Sequence, residues 1–217
     1  MRARKAERRR TQDAGQRRQA ILDAALEEFS ARGFAAARLD DVAQRARVAK
    51  GTIYLYFRDK ESLFQELVRA MVSPLVGAIE AAALRELPVR ALVELILETF
   101  VNEIYDTRRK DVLRLIINEG GRFPDLAEFY YREVIARVFP AVRERLRRAV
   151  ECGELAHDAL ARFPQLIVAP GLTAIVWSGL FDRFAPLDVR GLMRAHLQLL
   201  FGDDSASERA SEKGVAP

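Results

Sequence analysis

Cysteine is almost missing from this chain: Cys152 is the single one in 217 residues. That excludes an intrachain disulfide, a CxxC redox pair and a thiolate zinc cluster, and it fits a reducing compartment, so a cytoplasmic location is expected. Histidine is nearly as scarce, with His157 and His196 alone. There is no GxSxG, no HExxH, no Gly-rich phosphate loop and no Cys/His cluster, so nothing assembles a nucleophile or a metal site. Carboxylates abound, yet no pair stands apart from ordinary helix surface charge; neither enzyme activity nor a metal or cofactor is expected. No second convincing strand, hairpin turn or alternating run is present. The N-terminal MRARKAERRRTQDAGQRRQ has no apolar segment after its charges and does not read as a secretory signal. Residues 163 to 181 do form one long uncharged run, close to the length of a bilayer span. Its Pro164, Gln165, Pro170, Gly171, Thr173, Ser178 and Gly179, with charges directly at both ends, favour a buried interface helix instead.

What is present is a half-hydrophobic composition, enough to bury a real core, and an uneven charge. Residues 1 to 62 hold fifteen Lys/Arg against nine Asp/Glu, while the remainder holds twenty against twenty-two. The excess narrows to residues 1 to 18, with eight basic and two acidic residues. Such a tail can simply solubilise the chain, or it can contact a polyanion.

Helical spacing then dominates. Leu22, Ala25, Leu26 and Phe29 follow i, i+3, i+4, i+7, and Gly33 is placed to stop that helix. Leu39, Val42, Ala43 and Ala46 repeat the pattern, with Asp40 and Asp41 at the favourable positive end of the helix dipole. The stretch AKGTIYLYF, residues 49 to 57, is a strand by propensity, but an orphan strand would leave its backbone unpaired. Wound as a helix, it puts Ala49, Ile53 and Phe57 on one face with Lys50 and Tyr54 beside it, and turns Gly51, Thr52, Leu55 and Tyr56 away. Further helices are expected through 63 to 84, kinked or divided at Pro74, and from Pro88 to about Asp106. Others are expected over DVLRLIINEG, closed by Gly120 and Gly121, and over 125 to 150, 159 to 183 and 188 to 201. The fold class is therefore all-α, about nine helices, with a disordered polar tail over 203 to 217.

Two short helices joined by Arg47-Val48 make a helix-turn-helix candidate. Residues 21 to 67 resemble the DNA-binding domain of TetR-family transcriptional regulators through A-A-x-x-x-F-x-x-x-G-F, L-D-D-V-A, V-A-K-G-T-I-Y-x-Y-F and K-E-S-L. The resemblance implies a flexible basic arm (1–18), a helix-turn-helix domain (19–64), a ligand-binding and dimerisation domain (65–202) and the tail. It implies a sequence-specific regulator, a repressor released from a palindromic operator by a small-molecule effector. In such a domain Lys50 is the matched position best able to reach base-edge acceptors. Gly51 lets the backbone approach DNA, Thr52 offers a hydroxyl, Tyr54 and Tyr56 can donate to phosphates, and Leu55 can touch a thymine methyl. Lys60 matches the family's phosphate-binding lysine. The chain departs from the family at Arg47, usually glycine, and at Arg38, usually serine or threonine; both arginines are expected to compensate through phosphate contacts.

One recognition helix reads only a few base pairs, so a homodimer on double-stranded operator DNA is expected. The uncharged 163 to 181 helix and Leu192, Met193, Leu197, Leu199 and Leu200 are the candidate dimer face. The middle helices would form the effector pocket, with Met71, Phe100, Ile104, Leu115, Ile116, Phe129 and Trp177 as apolar candidates. Asn102, Tyr105, Glu119 and Tyr130 are candidate polar anchors. The rival is a helical ligand-binding or protein-interaction module without specific DNA binding.

Overall fold

The computed structural model describes residues 2–85 and 87–202, with side chains from Ala14 onward; the tail expected over 203–217 lies outside them. Every regular element among the described residues is helical. In chain order these are α1 (Arg2–Ala36), α2 (Leu39–Arg45), α3 (Lys50–Tyr56), α4 (Lys60–Ala83), α5 (Val89–Thr99), α6 (Arg109–Glu119), α7 (Pro124–Tyr130), α8 (Ala136–Glu151), α9 (Ala159–Arg162), α10 (Gln165–Leu180) and α11 (Val189–Phe201). A π-helical segment, Phe100–Tyr105, continues α5, and a second, Tyr131–Ile135, joins α7 to α8.

The expected helices are there, with three adjustments. The segment read as one helix over 159 to 183 is cut at Phe163, which a following proline biases out of the helical region and which sits at φ −127°, ψ 69°. Pro74 lies inside an unbroken α4. Residues 2–18, expected as a flexible arm, continue α1 as helix; Arg, Lys, Glu, Gln and Ala dominate that segment and favour helix. Gly33 interrupts α1 as expected, at φ 74°, ψ 164°, though one more turn follows it.

The described residues pack as two compact units, one from residues 2–74 and 111–136, the other from 75–85, 87–110 and 137–202. This groups α7 and most of α6 with the N-terminal helices, a division that a linear reading of the sequence does not suggest. In the first unit Phe34 is a hub. Its ring centroid lies 5.4 Å from Phe29, 5.9 Å from Phe64 and 5.1 Å from Phe123, so α1, α4 and the loop before α7 share one aromatic cluster. Ile21, Leu22, Leu26, Ile53, Leu63 and Leu67 complete the core.

In the second unit Leu92, Val93 and Leu97 of α5 join Leu146 of α8, Ile167 and Ala174 of α10, and Met193 and Leu197 of α11 in one buried cluster. Glu154 caps α5 from a distance, accepting the Val89 N–H and a 2.7 Å hydrogen bond from Arg145. Burial opposes its charge, but those two donors bring its carboxyl below the ordinary value. Among the described residues only α4 has the length and apolarity of a membrane span. Its Leu63, Phe64, Leu67, Val68, Val72 and Val76 are buried in protein. At sixteen residues α10 is shorter than the about 20 a span needs.

Candidate DNA-binding interface

The link between α2 and α3 is built by the backbone. Val48 N–H donates to Ala43 O (3.0 Å) and Arg47 N–H to Gln44 O (3.2 Å), the paired bonds of a Schellman C-cap. The residue between them must be left-handed, and Arg47 is, at φ 55°. Glycine adopts that conformation without penalty; an arginine there costs about 1 kcal/mol. Arg38, at the start of α2, is extended and makes no side-chain cap. Both arginines are exposed.

α3 also starts without a side-chain cap, and it is only seven residues long. A helix that short is not stable alone. It is held by Ile53 and Phe57, both buried as expected; Ala49, expected on the same face, is exposed, because it is the extended residue ahead of the first helical turn. The other face is open. Lys50, Gly51 and Tyr54 are exposed, Leu55 is 82% exposed, and Thr52 and Tyr56 are half-buried at the edges. Nothing lies within 4 Å of a Cβ placed on Gly51, so the helix backbone can be approached closely there.

Two lysines are engaged within the chain. Lys50 Nζ donates to Asp40 Oδ2 at 2.7 Å, and this bond holds its pKa above the ordinary lysine value. Lys60 Nζ donates to Phe34 O (2.6 Å) and Ala35 O (3.0 Å) and lies 4.6 Å from the centre of the Phe34 ring. A lysine at the positive start of α4 is unfavourable; at the negative end of α1 it is favourable, and it ties the two termini together. Beside it, Asp59 and Ser62 cap α4 reciprocally, with Ser62 N–H to Asp59 Oδ1 at 2.7 Å and Asp59 N–H to Ser62 Oγ at 3.1 Å. The Ser62 backbone bond first, and the Arg58 guanidinium second, hold the Asp59 carboxyl below its usual range.

Sequence reasoning passed over Glu28. Only 1% exposed, it accepts from Arg45 Nη2 at 3.0 Å through Oε2, pinning α2 to α1, while Arg32 Nε lies 3.0 Å from Oε1 as an ion pair without a hydrogen bond. The signal was an acid on a stripe of otherwise apolar residues, seven after Ile21 and three after Ala25. Asp40 was read as a dipole partner, and its role as the partner of Lys50 was missed.

The effector candidates fall into two groups. Leu115 and Glu119 of α6 line one cavity of about 370 Å³ with Phe29, Ser30 and Gly33 of α1 and Asn118. The other nine candidates do not line it. Phe129 is buried under the Arg69 guanidinium, 4.9 Å away, and Met71 is half-buried on α4. Phe100, half-buried against the second unit's core, packs on Gly171, where an added Cβ would sit 2.9 Å from its ring. Ile104 and Ile116 are half-buried, and Trp177 donates to Ala185 O at 2.7 Å. Among the polar candidates Asn102 accepts from Arg190 (3.0 Å), the Tyr105 ring lies under Lys110 (5.2 Å), and burial pushes the Tyr130 phenol up.

The candidate dimer face divides. Met193 and Leu197 are buried in their own unit's core, so they are not available to a partner; Leu199 is 84% exposed. On α10, Ile167, Gly171, Ala174 and Ile175 face inward while Leu166, Leu172, Val176, Trp177 and Leu180 form an exposed stripe at helical spacing.

Residues 21–67 match the family model described as bacterial regulatory proteins, tetR family, and residues 88–195 match that of the tetracyclin repressor-like C-terminal domain. The chain is 25% identical over 179 residues to the HTH-type transcriptional regulator AcrR of Shigella flexneri, covering 80% of this chain and 83% of that protein. It is 30% identical over 118 residues to the HTH-type transcriptional repressor KstR2 of Rhodococcus jostii, covering 52% and 57%. Among solved structures, FadR of Bacillus subtilis in complex with stearoyl-CoA shares the fold at a TM-score of 0.69 and 20% identity, covering 85% of this chain and 98% of that one.

Proposed function

The chain belongs to the TetR family of bacterial regulatory proteins, and from this premise we propose that it is a repressor that binds a palindromic operator as a homodimer and is released by a small-molecule effector. Members of this family are DNA-binding transcription factors and not enzymes. The observation that carries the proposal is α3, which buries Ile53 and Phe57 and leaves Lys50, Gly51, Tyr54 and Leu55 free of other packing duty. Lys50 reads a base edge after exchanging Asp40 for an acceptor such as guanine O6 or N7. Gly51 admits the backbone to the groove floor, Leu55 meets a thymine methyl, and Thr52, Tyr54 and Tyr56 bond to phosphates at the rims. Arg38, Arg47 and Lys60 add phosphate contacts, and the eight basic residues of 1–18 lie along the flanking backbone.

The exposed apolar stripe of α10 supports the homodimer, because a patch of that kind on a monomer marks an interaction surface. Two recognition helices related by a twofold axis read half-sites about 34–36 Å apart. A repressor named in KstR2 and a bound acyl-CoA named in FadR support repression and effector control by analogy. An effector acts by binding the low-affinity conformation better than the DNA-bound one. A reader of operator DNA works in the cytoplasm.

A mobility-shift titration on DNA flanking the protein's own coding sequence, repeated over a series of salt concentrations, tests this. Sequence-specific retardation is expected, with log affinity falling steeply against log salt and a shallower slope once residues 1–18 are removed. Absence of sequence-specific binding in the effector-free protein would sink the proposal and leave the ligand-binding module as the reading.

A further inference from the structure

Asp40 and Lys50 meet across the helix-turn-helix. Asp40 is the second residue of α2 and Lys50 the first of α3, and Lys50 Nζ donates to Asp40 Oδ2 at 2.7 Å. Both side chains are open to solvent, Lys50 at 63% and Asp40 at 39%. A pair this exposed contributes little to folding. The neighbouring acid turns elsewhere, since Asp41 Oδ2 takes Arg32 Nη1 of α1 at 3.2 Å. Among the described residues Lys50 is the only donor to the Asp40 carboxylate. Arg38 and Tyr54 are near enough to act on the Lys50 charge, so polar side chains of α2 and α3 gather at the start of the exposed face.

The exchange proposed for Lys50 has a second half. When the ammonium leaves Asp40 for guanine, the carboxylate loses its partner at a surface facing phosphates, and like charges make that costly. The cost is relieved only where a base offers a donor. In the major groove of a guanine–cytosine pair the acceptors N7 and O6 stand beside the cytosine N4 amino donor. O6 and N4 are themselves hydrogen-bonded, about 2.9 Å apart, close to the 2.7 Å between Lys50 Nζ and Asp40 Oδ2. We infer that Asp40 is a second specificity-determining residue, accepting from cytosine N4 while Lys50 donates to O6 and N7 of the guanine paired with it. A thymine–adenine pair has the same central order, O4 then N6, but it sets a methyl beside the lysine and an acceptor, adenine N7, beside the carboxylate. The other two orientations reverse the order and bring the carboxylate against an acceptor. Lysine is a point charge on a flexible stem and discriminates poorly alone. A carboxylate that rejects the wrong pairs supplies what the lysine lacks. The inference rests on α3 being the recognition helix of the DNA-binding repressor proposed above.

Selection of the full-length protein's preferred sites from a randomised duplex pool, followed by sequencing, tests it. Lys50→Ala locates the base pair that Lys50 reads, as the position at which preference relaxes. That pair is expected to be guanine–cytosine, and Asp40→Ala, with its helicity checked by circular dichroism, should relax the same position by about tenfold. Asp41→Ala, which removes an equal charge from the same turn, should leave that position unchanged. Placing N4-methylcytosine there removes the free amino donor and keeps the pair. It should weaken binding by the unmodified protein by about tenfold and binding by Asp40→Ala not at all. No Lys50-dependent position, a different base pair there, undiminished preference in Asp40→Ala, an equal effect of Asp41→Ala, or equal N4-methylcytosine losses in both proteins would each overturn Asp40 as a reader and leave the repressor function standing. A pool from which no sequence is enriched would overturn both.

Discussion

α3 and α10 both expose hydrophobic side chains, and the difference between the two surfaces is what supports the different partners proposed for them. On α3 the exposed residues are mixed: a lysine, a glycine, a tyrosine and a leucine, over a backbone that nothing shields. On α10 the stripe of Leu166, Leu172, Val176, Trp177 and Leu180 contains no charge at all. Nucleic acid needs donors and close backbone approach, whereas a second protein surface needs apolar area. Exposure alone would not distinguish them; composition at equal exposure does.

The sharpest way to break this contrast is to charge the second surface. Val176→Asp with Leu180→Asp should convert the proposed dimer to a monomer in light scattering and reduce operator affinity by a factor of about a hundred or more, since a half-site contact carries only part of the binding energy. Lys50→Ala tests the first surface. It should lose about 1–3 kcal/mol of discrimination, or roughly 5- to 150-fold in specific affinity, with the oligomer untouched. Asp40→Asn should move the other way, freeing Lys50 and raising affinity for unrelated DNA. Either result reversed would sink the assignment of α3 as reader.

Arg47→Gly sits between the two extremes. Relief of the left-handed arginine should raise stability by up to about 1 kcal/mol, which corresponds to a melting temperature about 2–4 °C higher, while operator binding weakens. Tighter binding by the mutant would count against a phosphate contact.

The smallest effect concerns the α4 cap. Because the Asp59 carboxyl is depressed in the folded protein, its stabilisation is fully present above the unfolded value of about 3.9 and is lost as pH falls through the folded value. Asp59→Ala should therefore cost about 1 kcal/mol at neutral pH, and the gap to the unmodified protein should close in strong acid. A gap independent of pH would show that the cap does not act through its charge.

Much of the fold was legible because it depends on local pattern. The period of Leu22, Ala25, Leu26 and Phe29, the break at Gly33 and the helical winding of residues 49 to 57 all follow from spacing and from the lack of a partner strand. Arg47 was legible too, as an arginine where the turn wants glycine, and its φ of 55° agrees. Features that depend on tertiary proximity were not. No spacing rule joins Asp40 to Lys50, Lys60 to the carbonyls of Phe34 and Ala35, or Arg45 to Glu28. The same limit applies to α11, where Met193 and Leu197 turn inward and Leu199 outward within one apolar run. The effector candidates scattered for a similar reason, since apolar helical residues satisfy the pattern whether they fill a core or line a cavity.

The turn between α2 and α3 has an evolutionary consequence. Two backbone hydrogen bonds and one dihedral set the start of α3, Ile53 and Phe57 anchor it, and the Lys50–Asp40 bond adds a tie to α2. The outward residues therefore carry almost no responsibility for folding. With α3 as the proposed reader, descendants of this chain can rewrite Tyr54 and Leu55 one at a time, and so change the addresses they read, while the rest of the unit keeps its shape.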